Sequence, residues 1–77
     1  MHGADIQAAL RKAGSSQAAI ALRLGVSRQS VHAVVWGRAD GRSLRIARAI
    51  SRTTGFPVNT LWPGVYAGRT AAFRRTA

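Results

Sequence analysis

The chain has no cysteine and only two acidic residues, Asp5 and Asp40, among its 77 positions. The absence of cysteine excludes a disulfide framework and a thiolate metal site. No apolar run approaches the roughly 20 residues that a membrane-spanning helix requires. The first residues, MHGADIQ, lack the basic and apolar regions of a signal peptide. We therefore expect a cytoplasmic protein with no membrane partner.

The shortage of carboxylates also argues against catalysis. His2 and His32 have no carboxylate or thiol partners at metal-ligand spacing. Two acids and two isolated histidines leave no acid–base pair or activated nucleophile to assemble. We expect no enzyme activity, no cofactor, no metal site and no small-molecule ligand.

Basic residues are abundant, since twelve Lys and Arg give a net charge of +10. All but Lys12 are arginine, whose planar donor fork suits phosphate better than the lysine ammonium does. Such an excess destabilises the compact state by self-repulsion unless a polyanion relieves it. The composition favours a nucleic-acid partner. The alternatives are a surface that only promotes solubility and, less favoured, one that binds an anionic membrane.

The segment QAAIALRLGVSRQSVHAVVW, residues 17–36, predicts a helix, a tight turn and a second helix. Gly25 opens the turn, where a left-handed conformation costs glycine little. Ser27 offers a hydroxyl to the free amides of the second helix. Ala21 is small enough for two helices to cross closely, and apolar residues form one seam: Ile20, Leu24, Val26, Val31 and Val34. This is the layout of a DNA-binding helix-turn-helix.

The whole chain predicts an all-α fold, a compact bundle of four to five short helices. We expect helices at 4–13, 17–24, 28–36 and 44–54, and a short turn or helix from Pro57 to Trp62. Either Ser15 or Ser16 would cap the second helix. A helix-turn-helix DNA-binding domain would occupy 1–63. A basic tail, 64–77, would be either frayed or a helix tethered by Tyr66 and Phe73.

The third predicted helix separates into an apolar and a polar side. Val31, Val34 and Val35 share one side. The opposite side holds four candidate base-reading residues, Arg28, Gln29, His32 and Ala33. Arginine can fork onto guanine O6 and N7, glutamine can pair with adenine N6 and N7, and an alanine methyl can meet a thymine methyl. For Arg28 the alternative is phosphate contact, and for His32 it is plain solvent exposure.

Four residues around that helix are candidates for phosphate binding: Gln17, Ser27, Arg38 and Arg42. Gln17 begins the second helix, where free backbone amides also attract anions. Ser27 could cap, contact a phosphate, or do both. Arg38 and Arg42 follow the third helix directly.

Two further features leave alternatives open. Trp36 would either stack on the loop and tail or touch the DNA backbone. The arginine stripe of the fourth helix, Arg45, Arg48 and Arg52, would form a charged outer face or add DNA contacts. Phosphate contacts of this kind set affinity and register without reading sequence.

The segments HGADIQAALRKAG, SSQAAIALRLGVSRQSV, IARAI and LWPGVY, with a GR loop before the third of them, resemble the Ner proteins. Those are small DNA-binding regulators of Mu-like transposable phages, with relatives in bacterial chromosomes. The resemblance covers about residues 1–66. Its helix-turn-helix is shared with the wider lambda-repressor-like class, whereas ADIQAAL and LWP are closer to Ner. The loop ADGRS and the tail 67–77 depart from the pattern.

That resemblance implies about five helices and repression or tuning of transcription at operator DNA. It also implies that Gln29 and His32 lie in the major groove, in a helix that starts at Ser27 and Arg28. We expect a sequence-specific regulator of double-stranded DNA, bound as two copies on a repeated or inverted site. The rivals are a sequence-indifferent nucleoid-associated or RNA-binding protein and a protein-interaction adaptor.

Overall fold

Five α-helices account for most of the residues described by the computed structural model, which are 1–38 and 43–66. They are α1 (Gly3–Lys12), α2 (Gln17–Leu24), α3 (Arg28–Val35), α4 (Leu44–Thr54) and α5 (Val58–Leu61). No strand occurs within these two ranges, and none of their helices is long and apolar enough to cross a membrane. The predicted all-α bundle is confirmed.

Serine hydroxyls cap the three central helices. The hydroxyl of Ser16 accepts from the Ala19 amide at 3.1 Å, and that of Ser43 accepts from the Ile46 amide at 3.3 Å. Ser27 caps α3 in the same way, accepting from the Ser30 amide at 3.1 Å. Each hydroxyl satisfies one of the amides that a helix start leaves unpaired. Of the two candidates for α2, Ser16 is the cap and Ser15 is not.

Several helix boundaries differ from the predicted ones by one residue. Helix α1 begins at Gly3 because His2 is extended and its carbonyl already accepts from the Ile6 amide at 3.0 Å. Pro57 lies outside α5 because its ψ of 148° is extended, although its carbonyl accepts from the Leu61 amide. Ala13, the expected last residue of the first helix, follows the end of α1 and is exposed.

The core lies where α1, α3 and α4 meet α2 and α5. Its residues share near-complete burial: Ile6, Leu10, Ile20, Ala21, Val31, Val34, Val35, Ile46, Ala47, Ile50, Leu61, Trp62 and Tyr66. Leu24 and Val26, expected in the buried seam, are half-buried and pack against this core. The apolar residues predicted to form the seam between the second and third helices thus lie in the core or against it.

The packed part of the chain continues past residue 63, the expected end of the domain. Tyr66 is buried and meets the Trp62 ring edge-on, with 5.8 Å between ring centroids. The Trp62 indole nitrogen donates to the carbonyl of Val35 at 3.3 Å. These two rings therefore close the bundle at the end of α3. Residues 67–77, including Phe73, lie outside the described residues.

The N-terminal ammonium packs against the end of α5. It donates to the carbonyl oxygens of Leu61 at 2.8 Å and Thr60 at 3.2 Å. These contacts join residues from opposite ends of the described fold.

Candidate nucleic-acid interface

Helix α3 has one buried and one exposed side. Val31, Val34 and Val35 are at most 1% exposed. Arg28, Gln29 and His32 are exposed on the other side, and Ala33 is half-buried. The division predicted from the sequence is therefore present, and it leaves a row of polar side chains facing outward.

The exposed side of α3 borders a groove of about 840 Å³. Its lining comes from α1, α2 and α3, from the residue before α2 and from Arg38 in the turn after α3: Gln7, Leu10, Arg11, Ser16, Gln17, Ala18, Arg28, Gln29, His32, Ala33 and Arg38. Three of these residues are arginine, and the described lining includes neither Asp nor Glu. The groove is accordingly a concave surface suited to a polyanion.

The turn before α3 and the turn after it fix where this helix starts and where the chain leaves it. Before α3, Gly25 adopts φ 69° and allows the Val26 amide to donate to the carbonyl of Ala21 at 3.0 Å. After α3, Gly37 adopts φ 66° and the Arg38 amide donates to the carbonyl of Ala33 at 3.0 Å. Glycine makes such left-handed ends inexpensive. The second turn folds Arg38 back toward the groove.

Gln17 and His32 are joined across the groove. The side-chain oxygen Oε1 of Gln17 lies 3.2 Å from Nδ1 of His32. The amide nitrogen Nε2 of Gln17 is covered and has no hydrogen-bond partner within the described chain. Gln17, the first residue of α2, thus contacts the side chain of His32 in the middle of α3.

Trp36 packs against the start of α1. A Cβ built on Gly3 would lie only 2.4 Å from Cε3 of the Trp36 ring, so the indole covers the bare helix backbone. The rings of His2 and His32 lie 6.0 Å and 5.9 Å from the Trp36 ring, measured between centroids. Trp36 remains 40% exposed at the margin of the interface.

Six of the eight predicted contact residues lie together along the groove: Gln17, Arg28, Gln29, His32, Ala33 and Arg38. Ser27 lies at the start of α3, where its hydroxyl also lies 2.9 Å from that of Ser30. Arg42 lies outside the described residues.

The sequence interpretation missed the contribution of α1. Gln7 and Arg11 are one helical turn apart and both line the groove. Neither residue is among the eight contact residues predicted from the sequence. The spacing of four residues, which places both side chains on one face, is the signal that could have identified them.

The arginines of α4 are not among the groove residues. Arg45 is exposed, and its Nη2 donates to the carbonyl of Leu24 at 2.9 Å. This hydrogen bond gives a partner to the backbone carbonyl of the last residue of α2. Arg48 is half-buried, and Arg52 is exposed. The Arg45 contact ties α4 to the helix-turn-helix.

No group of three or more His, Cys, Asp or Glu side chains that could hold a metal ion occurs in residues 1–38 and 43–66. The rings of His2 and His32 both contact the Trp36 ring. His32 also makes the contact with Gln17 described above.

Comparison with known proteins identifies a family. No curated protein and no solved structure matches the chain at a significant level. The model of the family described as winged helix-turn-helix DNA-binding matches residues 1–77. In the part of the chain that the structure describes, no strand contributes to the groove. The chain belongs to the winged helix-turn-helix DNA-binding family.

Proposed function

We propose that this protein is a sequence-specific regulator of transcription that inserts α3 into the major groove of double-stranded DNA. The observation that carries the proposal is the groove itself, where the polar side of α3, which includes Arg28, lies beside Arg11 and Arg38 and no described acidic residue. The major groove of B-DNA admits an α-helix, and residues near the start of such a helix contact base edges.

Base reading is assigned to four residues of α3. Arg28 donates to guanine O6 and N7, and Gln29 pairs with adenine N6 and N7. Ala33 contacts a thymine methyl, and His32 reads a base one helical turn beyond Arg28. The exposure of Arg28, Gln29 and His32 supports these roles, because none has to leave the core to reach DNA.

Phosphate binding is assigned to Gln17, Ser27, Arg38 and Arg42. Gln17 and Ser27 lie at the starts of α2 and α3, where backbone amides and the helix dipole favour anions. Because the Nε2 atom of Gln17 is covered, the α2 backbone amides are the better phosphate donors at that position. Arg38 lines the groove, and the role of Arg42 rests on its sequence position.

The regulatory role is that of a cytoplasmic repressor of bacterial or prophage type. The resemblance of residues 1–66 to Ner proteins, within the lambda-repressor-like class, supports this finer assignment. Two copies would bind half-sites about 34 Å apart, so that both copies of α3 lie on one face of the duplex.

Selection of bound sequences from a random duplex library tests the proposal. A regulator of this kind enriches one motif, whose symmetry and spacing report the number of copies bound. At physiological salt the selected site should bind at least roughly a thousandfold more tightly than random DNA of equal length.

The net charge of +10 favours one rival, a sequence-indifferent nucleoid-associated or RNA-binding protein. Competition between the best selected duplex, random duplex and structured RNA separates the two functions. Equal competition by all three would overturn sequence-specific regulation and support the rival.

A further inference from the structure

The two ring nitrogens of His32 have different surroundings. Nδ1 faces Oε1 of Gln17 at 3.2 Å, whereas the exposed ring lies along the groove. We propose that Gln17 is a positioning residue that selects one tautomer of His32, and that His32 thereby reads the amino group of adenine or cytosine. The inference rests on the proposed insertion of α3 into the major groove.

The choice of tautomer follows from the chemistry of the amide oxygen. A side-chain carbonyl accepts hydrogen bonds and cannot donate them. Its contact with His32 is a hydrogen bond only when Nδ1 carries the proton. A neutral imidazole has one N–H, so Nε2 then bears a free lone pair. His32 becomes a hydrogen-bond acceptor on the groove side.

Among base edges, this acceptor has a restricted set of partners. The major-groove donors are the N6 amino group of adenine and the N4 amino group of cytosine, whereas guanine and thymine present acceptors at their corresponding positions. The arginines of the groove have the opposite preference, because a guanidinium only donates. His32 would therefore complement Arg28 by favouring amino-bearing bases where arginine favours guanine.

The position of His32 separates its base from that of Arg28. The two residues are one turn apart on α3, and the Trp36 ring lies 5.9 Å beyond His32. Because this turn advances about 5.4 Å along the helix, His32 reaches a different base pair. Its preference can be measured separately from that of Arg28.

Nitrogen NMR of the ring tests the tautomer in the full chain without DNA. At a pH where the ring is neutral, we expect His32 to show a protonated Nδ1 and a bare Nε2. Gln17→Leu removes the acceptor and should return His32 to the Nε2-protonated form that free histidine favours. Gln17→Glu keeps an acceptor and should retain the protonated Nδ1, and His2 gives an internal reference in each sample.

A proton on Nε2 of His32 in the unmodified protein would overturn the inference. It would mean either that the Gln17 amide presents its nitrogen to Nδ1 of His32 or that the two side chains make no hydrogen bond. A purely structural role of Gln17 would leave the tautomer of His32 unchanged in Gln17→Leu.

Base preference is then measured on the selected duplex, with all four base pairs placed in turn at each position. At one position we expect adenine or cytosine to be favoured roughly two- to tenfold, the contribution of one hydrogen bond. His32→Ala and Gln17→Leu should both abolish that preference and keep the preferences due to Arg28 and Gln29. His2→Ala, which changes a histidine outside the groove lining, is the matched control.

The outcomes distinguish this inference from the proposed function. A selected motif whose base preferences are all unchanged by His32→Ala would overturn the His32 assignment and leave the proposed function intact. A guanine preference lost in His32→Ala would do the same. Failure to enrich any motif would overturn the proposed function, and the base-reading role of His32 with it.

Discussion

The two sides of the helix-turn-helix differ in burial and therefore in what they contribute to the fold. On the buried side, Ile20, Val31 and Val34 are at most 1% exposed and hold α2 against α3. On the groove side, Arg28 and Gln29 are exposed, and the structure assigns them no part in the core. Stability should therefore depend on one side and DNA binding on the other. Substitutions on each side can test this separation.

The largest effect is expected from Ile20→Ala. Ile20 is fully buried, and shortening it leaves a cavity where α2 meets the core, at a cost of about 2–5 kcal/mol in the free energy of unfolding. Denaturant titration measures this change. The matched control is Leu22→Ala on the same helix, because Leu22 is 85% exposed and should change stability by less than about 0.5 kcal/mol. Equal losses of stability in Ile20→Ala and Leu22→Ala would contradict the assignment of Ile20 to the buried side of α2 and of Leu22 to the exposed side.

Gly3→Ala tests the contact between the buried start of α1 and the partly exposed Trp36 ring. The new Cβ would lie 2.4 Å from the Trp36 ring, so we expect a loss of about 1–3 kcal/mol in stability. In a Trp36→Ala background this cost should vanish, because alanine is otherwise the better helix residue. A double-mutant cycle measures the coupling. Additive effects would exclude the contact.

Gln29→Ala should separate DNA binding from stability. We expect the selected duplex to bind more weakly by about 1–3 kcal/mol, because a bidentate base contact is lost. Binding to random DNA and the unfolding midpoint should stay nearly unchanged. Fluorescence anisotropy with both duplexes measures the difference. A parallel loss on random DNA would assign Gln29 to phosphate binding instead.

Arg38→Ala should have the smallest and least selective effect. Loss of one phosphate contact weakens binding to all duplexes and reduces the slope of log affinity against log salt by about one unit. The charge-matched control is Lys12→Ala, since Lys12 is exposed beside a second groove lined by residues that include Met1 and Phe56. A slope that changes equally in both variants would indicate a general charge effect.

The helix-turn-helix could be predicted because its signals are local. Apolar spacing marks Ile20, Val31 and Val34, while Ser27 and Gly25 mark the helix ends. These features depend on residues within one or two turns of each other. The same reasoning predicted the polar side of α3, and six of the eight predicted contact residues line one groove.

The remaining features depend on how helices cross, which periodicity does not encode. The contact between Gly3 and Trp36 requires the start of α1 to reach the end of α3. The Arg45 bond to the Leu24 carbonyl and the Gln17 contact with His32 likewise join separate helices. Tyr66 lacks a periodic pattern around it, so its contact with the Trp62 ring could not be read from the spacing of apolar residues.

The ammonium group of Met1 has a practical consequence for protein engineering. It donates to two carbonyls at the end of α5, with distances of 2.8 and 3.2 Å. A purification tag fused ahead of Met1 would replace this cation by a neutral amide with a single N–H. A tag attached after residue 77 preserves the cation. Comparing the melting temperatures of the two fusions would measure how much the ammonium group stabilises the fold.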